Sequence, residues 1–158
     1  MPEASSATRT TDREILLTRV FDAPRELVFN AWIDPIHIAQ WFGPTGFTTT
    51  IHEMDVRPGG VWRFIMHCPD GVDYPNRIVY VEIVRPERLV YDHFSDDVDE
   101  PGRFHVTMTF AEQDGKTLLS MQMLFESTAE RDRVVKEYGA IEGGEQTLDR
   151  LAAYLAAG

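Results

Sequence analysis

Residues 104–125 read Phe104-His105-Val106-Thr107-Met108-Thr109-Phe110-Ala111-Glu112-Gln113-Asp114-Gly115-Lys116-Thr117-Leu118-Leu119-Ser120-Met121-Gln122-Met123-Leu124-Phe125. Asp114-Gly115 is a strong signal for a two-residue hairpin turn. A turn there sets Gln113 opposite Lys116 and fixes the pairing outward. Phe110 then faces Leu119, Met108 faces Met121, Val106 faces Met123 and Phe104 faces Phe125. Every pair is apolar, and all share one sheet face because side chains alternate along a strand. His105, Thr107, Thr109, Ser120 and Gln122 take the other face. The two halves of the hairpin agree on which side is buried. That side is rich in Phe and Met, and unbranched Met suits a surface that fits variable shapes. A plain core has the same composition.

A half-buried sheet needs a cover. Ile141, Gly144, Leu148, Leu151 and Leu155 recur at steps of three and four, one stripe of an amphipathic helix. Glu142, Glu145, Asp149 and Arg150 fall on its other side. Gly144 is anomalous in that stripe. An interior helical Gly costs about 1 kcal/mol relative to Ala, and Gly143-Gly144 is a pair of them. Either the backbone packs closely on something bulky, or the helix leaves space beneath it. With Met108, Met121, Val106 and Met123 as the surface below, the second reading makes Gly144 and Leu148 the roof of a cavity.

The remaining chain supplies more strands. Residues 1–13 read as a flexible tail, and residues 14–158 as one domain. Glu14 to Asp22 is β-prone. Pro24 opens a short helix, Asp34-Pro35 breaks it, and a second short helix runs from Ile36 to Phe42. The pair makes a small lid or plug. Trp32, Trp41 and Phe42 read as packing between these helices and the sheet, or as a cavity mouth. Strands follow over Phe47 to Val56, Val61 to His67, Arg77 to Val84 and Arg88 to Ser95, separated by turns at Pro58-Gly59, Pro69-Asp70-Gly71 and Pro86-Glu87. An acidic loop covers Asp96 to Gly102. Ser127 to Glu130 has capping-box spacing and starts a helix that breaks at Gly139. Short turns require antiparallel neighbours. The expected class is therefore α+β, with about six to seven antiparallel strands under a long C-terminal helix.

The bulk composition narrows the partners. A chain of 158 residues with 43% hydrophobic content has enough apolar material for one core. Its formal net charge of −11 argues against nucleic acid or an anionic membrane, which an acidic surface repels. No apolar run reaches the ~20 residues that span a bilayer. The single cysteine, Cys68, excludes an internal disulfide and fits a reducing cytoplasm. No phosphate loop, dinucleotide fingerprint or nucleophile elbow appears, and no cofactor is expected.

Several strings also resemble a known family. They are Val20-Phe21-Asp22-Ala23-Pro24 with Val28-Phe29, Trp32 to Trp41-Phe42-Gly43-Pro44, Asp55-Val56-Arg57-Pro58-Gly59-Gly60, Pro86-Glu87-Arg88-Leu89-Val90, and Gly143 to Leu151. Their order and spacing resemble the START-like (SRPBCC) superfamily, in the branch of the activator of the heat-shock-protein-ninety ATPase and its homologues. The resemblance implies the helix-grip fold, a curved antiparallel sheet gripping the C-terminal helix over a cavity. Many members of the superfamily bind apolar or polyketide-like ligands there, and a few catalyse cyclisation or hydration. The eukaryotic namesake works with a large chaperone through an additional N-terminal domain. Only a short tail precedes the first strand here, so a chaperone partner is not the expectation.

Candidate chemistry is sparse. His93 would lie opposite His105 on the polar face if the acidic loop closed symmetrically, a thin basis for a zinc site. His67 and Cys68 are adjacent and point to opposite faces. Glu53 and Asp55 share a strand face and read as partners of Arg57 or Arg63. Trp62, Phe64, Met66 and Tyr80 are expected in the cavity wall with Phe104, Met108, Met121 and Met123; Tyr80 and Tyr154 could offer hydroxyls. The expected function is binding of a small apolar or aromatic ligand, lipid- or polyketide-like. A cyclase, aromatase or hydratase using the same cavity, which would need a buried His or carboxylate with a perturbed pKa, is the first alternative. A protein-interaction module, acting on a chaperone or another partner, with a filled interior and an exposed apolar patch, is the second. A homodimer is left open.

Overall fold

The computed structural model describes residues 6–96 and 102–157. Ser6–Thr11 (β1) and Glu14–Phe21 (β2) come first, then helices Arg25–Ile33 (α1) and Pro35–Trp41 (α2). Six strands follow: Thr48–Met54 (β3), Val61–His67 (β4), Asp73–Val84 (β5), Arg88–Ser95 (β6), Arg103–Gln113 (β7) and Lys116–Phe125 (β8). Thr128–Tyr138 (α3) and Ala140–Ala157 (α4) complete the chain. The architecture is the α+β helix-grip arrangement: one open antiparallel sheet, in the order β1-β2-β8-β7-β6-β5-β4-β3, with the long α4 against it.

The central hairpin forms in the expected register, with Phe110 opposite Leu119, Met108 opposite Met121, Val106 opposite Met123 and Phe104 opposite Phe125. Asp114 (φ 55°) and Gly115 (φ 80°) both take the left-handed backbone that its tight turn requires. Helices α1 and α2 carry the chain from β2, inside one edge, to β3 at the far edge; the meander then returns until β8 pairs with β2. Asp34 caps α2 by accepting from the Ile36 amide at 2.9 Å, and Ser127 caps α3 by accepting from the Glu130 amide at 3.0 Å. Gly139 ends α3 with φ 60°.

The sheet has eight strands instead of six to seven, and part of the difference lies in the expected tail. Ser6–Thr11 is not a tail: it pairs with β2 along its whole length. Its described side chains, Thr8 to Thr11, are exposed, so no apolar alternation marks it as a strand. Register shifts between Ile51 and Glu53 on β3, and between Tyr80 and Glu82 on β5, insert bulges that bend these strands.

Helix α4 packs on β2, α1, α2 and α3, with Leu148 and Leu151 buried. Its approach to β2 corrects the reading of Gly144 as a void. A Cβ there would stand 2.6 Å from Cδ1 of Leu17, a fully buried β2 residue. The glycine is a close approach to a bulky neighbour, and that neighbour lies on β2 rather than on the hairpin. Beside it, Arg19 of β2 turns inward and pairs with Asp149 of α4 at 2.9 Å.

Gly144→Leu is therefore expected to fold with a loss of about 1–3 kcal/mol from overpacking, read as a lower urea midpoint. An unchanged or raised midpoint would mean that Leu17 yields freely and the contact is not a constraint.

Candidate functional site

Away from β2 the sheet and helix separate. A cavity of about 510 Å³ lies between β4–β8 and the helices α3 and α4, within the range of ordinary small-molecule pockets. Met66, Tyr91, Phe104, Val106, Met121, Met123 and Phe125 form its sheet wall. Ala140, Gly143, Gly144, Thr147 and Leu148 form its roof, and Trp32, Phe42 and Phe47 close one side.

Six expected residues meet here: Met66, Phe104, Met121, Met123, Gly144 and Leu148. Trp62, Phe64, Tyr80 and Met108 do not line the space; all four are buried in the core. The α1–α2 pair explains the difference at β4. The Phe42 ring sits 5.2 Å from Trp62 and 5.7 Å from Phe64, and Trp62 stacks on Phe64 at 4.1 Å. Farther along the sheet, Phe29 of α1 meets Phe110 edge-on at 5.1 Å. The plug fills that half of the sheet and leaves the other half open. Tyr154 also stays outside the cavity, with its hydroxyl 2.6 Å from Nδ1 of His37.

The main polar group in the cavity was not expected there. His93 pairs with Phe104, and His105 pairs with Asp92. The turn is offset by one residue from the symmetric closure, and one residue exchanges the faces of a strand. His93 therefore points inward, tilted over Phe104 at 4.8 Å and edge-on to Phe64 at 5.9 Å. Its Nε2 lies 2.9 Å from Oδ1 of Asn76, whose Nδ2 donates to the Tyr74 carbonyl at 2.8 Å. Burial among these rings pushes the imidazole down to about 4, so it is neutral at pH 7. Tyr91 lines the same space two residues earlier on β6. Burial, with Tyr80 nearby, raises the Tyr91 phenol above its ordinary value and keeps it a neutral hydroxyl. Tyr80 is raised by burial too, and its hydroxyl has no partner among the described residues. The indole Nε1 of Trp32 is likewise unpartnered among them.

Among the described residues four charged ones, Arg103, Glu130, Arg133 and Glu137, also line the cavity. On α3, Arg133 reaches Glu130 at 2.7 Å and Glu137 at 3.1 Å. The hydrogen bond from Arg133 holds Glu130 below its usual range, and Glu130 in turn raises Arg133. Arg103 is exposed at the end of β7, over the Phe94 ring.

One guanidinium shapes the opposite wall. Nη1 of Arg150, on α4, donates to the carbonyls of Gly43 (3.0 Å), Pro44 (3.1 Å) and Phe47 (3.0 Å), with Phe42 O at 3.5 Å. Gln146 accepts from the Thr45 amide at 3.1 Å. The segment 42–47 is thus tied to α4, and its residues Phe42, Gly43, Pro44 and Phe47 line the cavity. Burial lowers Arg150 from its ordinary value, and the ring of carbonyl dipoles satisfies the charge instead of a carboxylate.

The other histidines lie elsewhere. His67 bridges Thr50 and Asp73, each at 2.7 Å. His105 meets Asp92 at 2.8 Å. Glu53 pairs with Arg63 at 3.6 Å and Asp55 with Arg57 at 2.7 Å. Among the described residues no group of three or more His, Cys, Asp or Glu is placed to hold a metal. The zinc reading of His93 with His105 fails because the two point to opposite faces. Most of the acidic loop, 97–101, lies outside the described residues. No helix among them is long and apolar enough to cross a membrane.

A family model described as Activator of Hsp90 ATPase homolog 1-like protein matches residues 22–156. The chain belongs to that family. A crystal structure of a Chromobacterium violaceum protein is similar at 31% identity and TM-score 0.79, covering 89% of this chain and 95% of that one. A Mycobacterium smegmatis protein is 25% identical with TM-score 0.86, covering 99% of each chain. A solution structure from Arthrobacter aurescens, 22% identical, shares the fold at TM-score 0.90 over 98% of this chain and 94% of that one. The curated proteins contain no match.

Two measurements test the site. His93 titrates near 4 when folded and near 6.5 otherwise, so between these values only the unfolded chain takes up the proton. Stability should fall as pH drops from about 6.5 to about 4, by up to about 3 kcal/mol. His93→Phe should flatten that part of the curve in urea unfolding at pH 7 and pH 4.5; an unchanged pH dependence would place the ring in water. Arg150→Met should cost about 1–3 kcal/mol through the stranded carbonyls and speed amide exchange at Thr45. Unchanged exchange there would mean that the 42–47 segment holds itself.

Proposed function

We propose that this protein binds a small, largely apolar molecule, aromatic or lipid-like, in the space between sheet and C-terminal helix. The observation that carries the reading is the cavity of about 510 Å³, walled by Phe, Met and Tyr side chains, with one neutral imidazole inside. In a mainly apolar pocket the polar groups fix orientation, while apolar contact supplies affinity. An interaction module would have called for a filled interior. Among the described residues the exposed large apolar ones are Leu27, Ile36, Val72, Val81 and Val84, drawn from α1, α2, β5 and the turn before it.

A second reading, catalysis in the same cavity, has His93 in its favour, because a histidine lining the cavity with a shifted pKa is close to what it required. The direction of the shift weakens it. A base near 4 is about a thousandfold short of half-protonation at pH 7. His93 is thus suited to accepting a hydrogen bond and poorly suited to removing a proton. Turnover would need a ligand whose own charge restores its basicity.

Native mass spectrometry of the purified protein should reveal a co-purifying apolar molecule. A thermal-shift screen of lipids, polyketides and aromatic acids should find one that raises the melting temperature. No stabilisation by any apolar compound, together with a filled interior in a crystal structure, would overturn the reading.

A further inference from the structure

The polar inventory of the cavity is uneven in one respect. The Asn76 amide is oriented by its own bond to the Tyr74 carbonyl, so Oδ1 is the atom facing His93. A carbonyl oxygen only accepts, hence Nε2 of His93 carries the proton and the neutral ring keeps its lone pair on Nδ1. Among the described residues Nδ1 has no partner, and no carboxylate reaches the ring. Its surroundings are Phe64, Phe104 and the Asn76 amide. Tyr91, two residues away on the same strand face and so about 7 Å along β6, adds a hydroxyl. Two cations line the cavity among the described residues: Arg133 is engaged by Glu130 and Glu137, and Arg103 lies exposed over Phe94.

From this geometry we infer that the cavity selects an uncharged ligand presenting a hydroxyl or N–H donor to Nδ1 of His93, and discriminates against a carboxylate at that position. The inference rests on the binding reading above and names the ligand chemistry. A neutral hydroxyl replaces its lost water with the imidazole lone pair. A carboxylate has no proton to donate and meets that lone pair with its own, while the lining cations Arg103 and Arg133 are already engaged by Phe94 and by Glu130 and Glu137. To bind there it must bring a proton, either onto itself or onto His93. The imidazole resists, because burial holds it near 4. Asn76 is the positioning residue: its fixed carbonyl sets the tautomer that leaves Nδ1 free.

Fluorescence titration at pH 7 with pyrene, 1-hydroxypyrene and 1-pyrenecarboxylate tests this, the three probes sharing one ring system. The wild type is expected to bind the hydroxyl compound about tenfold or more tighter than the carboxylate. In His93→Phe that ratio should collapse by about tenfold through weaker binding of the hydroxyl compound. A cavity that is merely apolar would keep the ratio. Asn76→Asp should move it toward the carboxylate, because a carboxylate beside Nε2 favours the imidazolium. Asn76→Asp carries the test alone if His93→Phe fails to fold by circular dichroism. Equal binding of the two compounds by wild type, or a ratio untouched in the folded variants, overturns the inference and leaves the cavity reading standing if pyrene binds. Failure of all three probes to bind overturns both.

Discussion

The close approach of α4 to β2 sets the rest of the molecule. A straight helix laid on a bent sheet can touch only part of it. Here contact is made where Gly144 admits Leu17 to the helix backbone, and the Arg19–Asp149 pair holds the same strand. With one side pinned, the strands beyond β8 fall away from the helix, and the bulges in β3 and β5 bend two of them. The gap is divided in two. The rings of α1, α2 and the residue after them fill one half, where Trp32, Trp41 and Phe42 meet one another and Trp62. The other half is the cavity. Replacing a Leu in the helix stripe by Gly thus makes room elsewhere, by allowing contact at one place.

An open space inside a protein survives only if its walls cannot collapse into it. The 42–47 wall has little backbone pairing of its own, and a chain of carbonyls facing the interior needs donors. Arg150 supplies them. A cation is suited to the task because one flat group can serve several carbonyls at once, with no counter-charge placed near the cavity. On the other side of the cavity Arg133 is matched by Glu130 and Glu137, and burial among rings keeps His93 neutral.

Much of this was readable in advance, for definable reasons. Asp114-Gly115 fixed a register, and alternation did the rest along β7 and β8. Where the closure between β6 and β7 was left to assumption, the reading failed: an offset of one residue was enough to move His93 from the outer face to the cavity. β1 was invisible because an edge strand exposed on its side chains has no hydrophobic period. Gly144 was recognised as unusual, but a missing side chain signals contact and void alike, and only the position of Leu17 separates them. Trp62, Phe64, Tyr80 and Met108 were correctly placed on the inner face. Their period could not tell which half of that face the helical plug would claim.

The unclosed sheet also leaves two edges on which other strands could add. β1 and β3 each present a row of free backbone groups, the template on which strands of another chain can add. Both are written largely in polar residues, Ser-Ala-Thr-Arg-Thr-Thr and Thr-Thr-Thr-Ile-His-Glu-Met, and β3 is kinked by its bulge. Closing the sheet into a barrel would remove those edges, but a small barrel fills its centre with its own side chains. Leaving it open admits a helix in their place. The interior can then vary in size with the seating of one helix while the strand pairing stays as it is.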